Sequence, residues 1–130
     1  IKDVTQVAHA SKLGDHEIID ARPRSRFLGT EPEPRPGLRA GHIPGSKNVP
    51  WNAVLTEANT MKSPEDLRAV FTAAGVDLAK PVIATCGSGI SAAVLVLALE
   101  RLGHRNHALY DGSWAEWGMF NDLRVATGEA

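Results

Sequence analysis

Two short apolar runs, each closed off by polar or turn-forming residues, dominate the hydropathy pattern of this chain. Residues 16–21 (HEIIDA) and 82–85 (VIAT) are rich in β-branched side chains and too short for core helices, so each predicts a strand buried on both faces. A third run begins at Ile90 and is apolar almost all the way round between positions 92 and 99. It predicts a helix packed against a sheet, running to about Leu102 with Gly103 as its cap. Elsewhere the pattern is amphipathic. Val4, Val7, Ala8 and Leu13 share a helical face over residues 3–13, with Asp3 placed to cap the start and Gly14 to end it. Ser63, Pro64, Glu65 and Asp66 form a helix start, Leu67, Val70 and Phe71 supply its apolar face, and Gly75 stops it. Short strands are predicted near residues 48–49 and at 107–110, and a short helix near Asn52. After Asp111 and Gly112, Ser113 and Glu116 have the spacing of a capping box for a final helix. Strands alternating with helices imply an α/β domain whose mainly parallel sheet is covered on both faces.

Between the first strand and the next lies a different kind of sequence. Residues 22–41 carry Pro23, Pro32, Pro34 and Pro36, the pivots Gly29 and Gly37, and the arginines Arg22, Arg24, Arg26, Arg35 and Arg39. This predicts a long loop made stiff by proline without regular hydrogen bonding. Guanidinium groups on such a loop suit bidentate capture of a planar carboxylate, and Glu31 and Glu33 are placed to orient them by ion pairing. Asp20, at a strand end, reads as an anchor for the loop. His42 has no ligand-spaced partner and reads as structural, Trp114 and Trp117 as core or rim aromatics, and the residues after Asn121 as peripheral.

Composition narrows the function. The 130 residues fit one domain spanning 1–130, long enough to bury a real core. With 14 basic against 15 acidic residues and a net charge of −1, no global field favours nucleic acid or an anionic membrane. The longest apolar run is far short of the roughly 18–20 residues that span a bilayer. The single cysteine, Cys86, excludes an internal disulfide and a cysteine-rich zinc site, and a thiol kept reduced suits the cytoplasm. Ile1 in place of methionine fits a processed chain or a piece of a longer one.

Cys86 stands at the carboxyl end of the second buried run, the end of an open α/β sheet at which ligands bind. Gly87, Ser88 and Gly89 follow and lead into the apolar helix. Two residues without a Cβ let the backbone curl so that successive N–H groups converge, and the helix start adds unpaired donors and partial positive charge. Such a loop stabilises a thiolate, the nucleophilic form of cysteine, and any anion beside it. A lone cysteine is ordinarily a small buried hydrophobe; this placement points to a reactive thiol.

The loop CGSGIS, residues 86–91, closely resembles the CGSGVT active-site loop of the 3-mercaptopyruvate sulfurtransferases, a branch of the rhodanese superfamily. Residues 20–51 (DARPRSRFLGTEPEPRPGLRAGHIPGSKNVPW) and 110–117 (YDGSWAEW) match as well, in the family's order and spacing. The resemblance implies the rhodanese-like fold, a five-stranded, mainly parallel sheet flanked by helices on both faces. It covers the carboxyl-terminal, cysteine-bearing half of a two-domain sulfurtransferase, so an N-terminal rhodanese-like domain is an expected partner. It further implies Cys86 as the nucleophile that carries a persulfide. Ser88 matches the loop serine of a Ser-His-Asp proton-transfer arrangement whose other members come from the absent domain. Arg26 and Arg35 match the arginines that contact the carboxylate and keto oxygen of mercaptopyruvate, and Gly87, Gly89, Ile90 and Ser91 complete the substrate-binding loop. Ile90 and Ser91 replace valine and threonine, and Arg22, Arg24 and Arg39 gain no support from the family.

Three cysteine chemistries compete for this loop. A phosphotyrosine-type phosphatase needs an arginine six positions after the nucleophile, where this chain has Ala92, and a thiol-disulfide oxidoreductase wants a second cysteine. Sulfur transfer through a covalent persulfide in two half-reactions remains. Thiosulfate-selective rhodaneses carry an Arg-Lys pair directly after the cysteine; Gly87 and Ser88 are neutral, which suits a monoanionic donor held by Arg26 and Arg35. The expectation is therefore 3-mercaptopyruvate as donor, a thiol, thioredoxin or cyanide as acceptor, no cofactor and no metal. Thiosulfate transfer, a non-turnover persulfide carrier and a rhodanese-like binding module are the alternatives, and mitochondria the alternative compartment.

Overall fold

The computed structural model describes residues 2–34, 37–87, 91–120 and 122–128. Its sheet contains β1 (Glu17–Asp20), β2 (Lys47–Asn48), β3 (Val82–Thr85) and β4 (His107–Leu109), all parallel and in the order β2-β1-β3-β4. Among the described residues four strands stand where five were expected. Beyond β4 the sheet is extended only by a parallel bridge between Lys2 and Tyr110, with the Lys2 N–H donating to the Leu109 carbonyl at 2.8 Å. The helices are α1 (Val4–Leu13), α2 (Arg24–Leu28), α3 (Pro64–Ala73), α4 (Ala92–Arg101) and α5 (Ser113–Trp117), with a 3-10 turn at Trp51–Val54.

Local chemistry explains most of these boundaries. The Asp3 carboxylate accepts the Gln6 N–H while the Gln6 side chain accepts the Asp3 N–H, a reciprocal cap for α1; Gly14 closes it in the left-handed region at φ +71°. Ser63 Oγ accepts the Asp66 N–H at 3.3 Å and Pro64 fills the first turn of α3, a cap whose loss costs about 1 kcal/mol.

β1 and β3 are buried along their whole length, as a parallel sheet covered on both faces requires. Alternation then sends successive side chains to two cores. Ile19, Val82 and Ala84 meet Leu67 and Phe71 of α3, Ala92, Leu95 and Leu99 of α4, and Val54. Ile18 and Ile83, paired in register, meet Val7 and Ala10 of α1, Tyr110, and Trp114 and Trp117 of α5 on the opposite face. Burying each of the larger side chains contributes about 1.5–3 kcal/mol.

Three sequence expectations are corrected. Residues 22–41 are not loop throughout: Arg24–Leu28 form α2, with Phe27 stacked on the buried His42 ring at 3.8 Å and 4°. Ser113 and Glu116 do not make a capping box; α5 has no side-chain cap, the Ser113 hydroxyl turns towards Cys86 and Tyr110, and Glu116 accepts the Tyr110 hydroxyl at 2.6 Å. Finally, the segment after Asn121 is built into the domain. Leu123 and Val125 pack on the second core, and Ala126 exchanges both backbone hydrogen bonds with His42 at 2.8 and 2.9 Å.

Candidate active site

Cys86 directly follows β3, and the alternation that puts Val82 and Ala84 on the α3–α4 face puts Cys86 there too. It is 1% exposed and belongs to that core. From the other side α5 holds both backbone groups of the cysteine. The Cys86 N–H donates to Ser113 Oγ at 3.2 Å, and its carbonyl accepts the Trp114 N–H at 2.8 Å; the Gly87 carbonyl accepts the Ala115 N–H at 2.9 Å. Ser113 Oγ also lies 2.9 Å from the Tyr110 carbonyl oxygen and 3.9 Å from Cys86 Sγ. Ser113 is fully buried with φ +54°, a backbone conformation uncommon for a residue with a side chain.

Beneath Gly87 lies Arg22. Its Cγ and Cδ stand 4.0 Å from where a Cβ on Gly87 would be, and its guanidinium is 4.5 Å from the Trp114 ring centroid. The guanidinium is held by Asp20, which accepts from Nε at 3.1 Å and from Nη2 at 2.7 Å, while Nη2 also donates to the Gly41 carbonyl at 2.6 Å. Asp20 accepts the Arg22 N–H as well, at 2.9 Å, so it anchors the start of residues 22–41 as its position implied. Glu33 Oε2 is 3.5 Å from Arg22 Nη1 without a hydrogen bond between them, and the Glu33 side chain is buried. Burial pushes the Glu33 carboxyl above the usual carboxylate range, opposed by the charges of Arg22 and Arg26. Arg26, on α2, is half-buried, and its Nε is buried without a hydrogen-bond partner.

Of the residues the sequence nominated, Cys86 and Gly87 follow β3 and Ser91 precedes α4, while the charge of Arg26 acts with that of Arg22 on Glu33. Ser91 is the first flanking residue of α4, and its hydroxyl makes no capping bond. Ser88, Gly89, Ile90 and Arg35 lie outside the described residues. Glu31 accepts the Ser25 hydroxyl at 2.5 Å and orients no arginine among the described contacts. Arg39 is structural, donating to the carbonyls of Trp117, Gly118, Phe120 and Leu123. His42 is structural too: its Nδ1 bonds the Phe27 carbonyl at 2.6 Å and burial holds its pKa below the ordinary histidine value. Sequence reasoning passed over Arg22 and Ser113. The DAR step after a buried strand is a signal for the first; none local marks the second.

Among the described residues, no three His, Cys, Asp or Glu side chains cluster so as to hold a metal ion, and no helix is long and apolar enough to cross a membrane.

A parallel α/β sheet with a lone cysteine beyond the carboxyl end of a central strand, gripped by the helix after the next strand, defines a class, and the family comparison agrees. The chain belongs to the rhodanese-like family, whose domain model matches residues 3–119. It is 51% identical over 122 residues to the 3-mercaptopyruvate sulfurtransferase of Escherichia coli K12, covering 94% of this chain and 43% of that protein, in its carboxyl-terminal portion. It is 47% identical over 118 residues to the thiosulfate sulfurtransferase of Bos taurus, covering 90% of this chain and 40% of that one. Among solved structures, the Tum1 protein of Saccharomyces cerevisiae superposes with a TM-score of 0.87 at 34% identity, over 98% of this chain and 46% of its own. SseA of E. coli superposes with a TM-score of 0.75 at 46% identity, over 88% and 42%. The chain thus spans less than half the length of the relatives it matches.

Proposed function

We propose that this chain is the carboxyl-terminal, cysteine-bearing domain of a two-domain sulfurtransferase that takes sulfur from 3-mercaptopyruvate, with Cys86 as its nucleophile. The observation that carries the reading is the seat of Cys86 at the carboxyl end of β3, both of its backbone groups tied to α5. In the first half-reaction the Cys86 thiolate attacks the donor sulfur. An S–S bond forms, the donor's C–S bond breaks, and its electron pair leaves with the pyruvate enolate, which takes up one proton to become pyruvate. In the second, a thiol, thioredoxin or cyanide acceptor attacks the outer sulfur, and the S–S bond breaks to return the Cys86 thiolate. Arg26 and Arg35 hold the donor carboxylate, Ser88 assists proton transfer, and Gly87, Gly89, Ile90 and Ser91 shape the loop. The preceding rhodanese-like domain supplies the rest of the site. The cytoplasm is the proposed compartment.

Both 3-mercaptopyruvate and thiosulfate sulfurtransferases stand among the relatives, and the neutral Gly87 and Ser88 favour mercaptopyruvate over the dianion. The test is sulfur release from the two donors side by side for the chain and for Arg26→Ala. Losing a charge-assisted contact to the carboxylate should raise KM for mercaptopyruvate at least about tenfold, with a smaller effect on thiosulfate. Preference for thiosulfate in the unaltered chain, or equal effects on both donors, would overturn the donor assignment.

A further inference from the structure

Among the described residues, three of the five buried side-chain nitrogens and oxygens without a hydrogen-bond partner belong to one charged group: Arg22 Nη1, Arg26 Nε and Glu33 Oε2. Buried polar atoms are normally paired, so an unpaired set gathered in one place calls for a reason, and an incoming ligand is one. Glu33 Oε2 stands 3.5 Å from Arg22 Nη1, with the two side chains 4% and 1% exposed. Arg26, on α2, is near enough for its charge to act on the same carboxyl.

The two carboxylates of this group do different work. Asp20 is spent on Arg22, accepting from its backbone N–H, Nε and Nη2. Glu33 Oε2 accepts no such bond, so it meets the arginines through its charge. Burial and the Asp20 charge push the Glu33 carboxyl up, while Arg22 and Arg26 pull it down.

We propose that Glu33 is a specificity-determining residue for the anionic donor: its fixed negative charge beside Arg22 and Arg26 weakens the hold of Arg26 on any anion and penalises a dianion more than a monoanion. The Coulomb energy follows the product of the charges, so at one separation a dianion is repelled about twice as strongly. Burial of the carboxylate limits screening by salt. Discrimination against a donor with the charge of thiosulfate then comes from the segment after α2 as well as from the neutral Gly87 and Ser88. The inference rests on the proposal that Arg26 holds the donor carboxylate, and not on the chemistry of Cys86.

The experiment is equilibrium titration with pyruvate, a monoanionic α-keto acid, and with sulfate, a dianion. Neither delivers sulfur to Cys86. Binding to the chain, Glu33→Gln, Glu33→Asp and Arg26→Ala is followed at pH 8 and constant ionic strength by amide and indole NMR shifts. The Trp114 ring, 4.5 Å from the Arg22 guanidinium, serves as a local probe. Thermal melts confirm that each variant is folded, and Glu33→Met replaces Glu33→Gln should the amide disturb the group. We expect Glu33→Gln to lower Kd for pyruvate at least about threefold and for sulfate at least about tenfold. Glu33→Asp, which keeps the charge, should retain the order of the unaltered chain. A merely structural glutamate would weaken both anions alike, with aspartate no better than glutamine. Weaker binding, or equal gains for the two anions, in a folded Glu33→Gln chain overturns the inference while Arg26→Ala still abolishes pyruvate binding. Pyruvate binding that Arg26→Ala leaves intact, or no binding to any of the four proteins, overturns the arginine subsite itself.

Discussion

Replacing Asp20 by asparagine removes the charge on which the corner beneath Cys86 is built. Asp20 and Arg22 are each 1% exposed at the side chain, and the carboxylate takes four contacts from Arg22: the backbone N–H at 2.9 Å, Nε at 3.1 Å to both oxygens, and Nη2 at 2.7 Å. Asparagine keeps the shape but turns an amide N–H₂ towards the guanidinium. The buried cation is left with the Gly41 carbonyl, the Trp114 ring and a Glu33 oxygen at 3.5 Å. Breaking a buried pair from one side costs about 3–5 kcal/mol, because the remaining charge is desolvated without a partner. The residual contacts place Asp20→Asn near the lower end, about 3 kcal/mol. For a domain of this size each kcal/mol lowers Tm by roughly 3–4 °C, so the expected fall is about 10 °C in a calorimetric or circular-dichroism melt, with a matching loss in urea. The paired replacement Asp20→Leu with Arg22→Met should cost less than either single change, since it removes both charges at once. A loss under about 1 kcal/mol for Asp20→Asn, or additive costs in the double variant, would refute the claim that the pair is desolvated and coupled.

Gly41→Ala should destabilise the domain by about 2–4 kcal/mol in urea denaturation, because φ is +126° and the added Cβ would strike the Ala126 carbonyl and Val125 side chain; an unchanged midpoint would show that the carboxyl-terminal segment is not packed as described. Burial lowers the pKa of His42, chiefly by desolvation, so the unfolded chain takes up its proton first. The stability this residue contributes is complete above the unfolded value of about 6.5 and is lost as pH falls from there through the lower folded value. Urea melts should therefore show stability dropping below pH 6.5 more steeply for the unaltered chain than for His42→Gln. Equal slopes would contradict the assignment.

What could be read from sequence was what local chemistry decides. The bounds of β3 and the caps of α1 and α3 follow from short apolar runs and from side chains that satisfy nearby N–H groups. α2 was missed because its five residues, entered through Pro23, are too few to be helical by propensity; Phe27 stacking on His42, 15 residues away, holds them. Ser113 and Glu116 carry the spacing of a capping box, but Cys86, 27 residues upstream, and Tyr110 recruit their side chains instead. The carboxyl-terminal segment was misjudged for the same reason, since nothing near it announces its pairing with His42. Within the site, Cys86 was conspicuous by its place at a strand end. Arg22 and Arg26 look alike by residue type and are separated in sequence by the family resemblance alone; their partners differ as well, since Arg22 is consumed by Asp20, Gly41 and Trp114, while Arg26 keeps a buried Nε without a hydrogen bond.

The most direct test of the central claim is the intact mass of the chain after exposure to 3-mercaptopyruvate, compared with that of Cys86→Ser. The account predicts an added mass of one sulfur atom on the unaltered chain, discharged by cyanide, and none on the variant. An unmodified mass on both, or the same gain on both, would contradict Cys86 as the residue that carries sulfur.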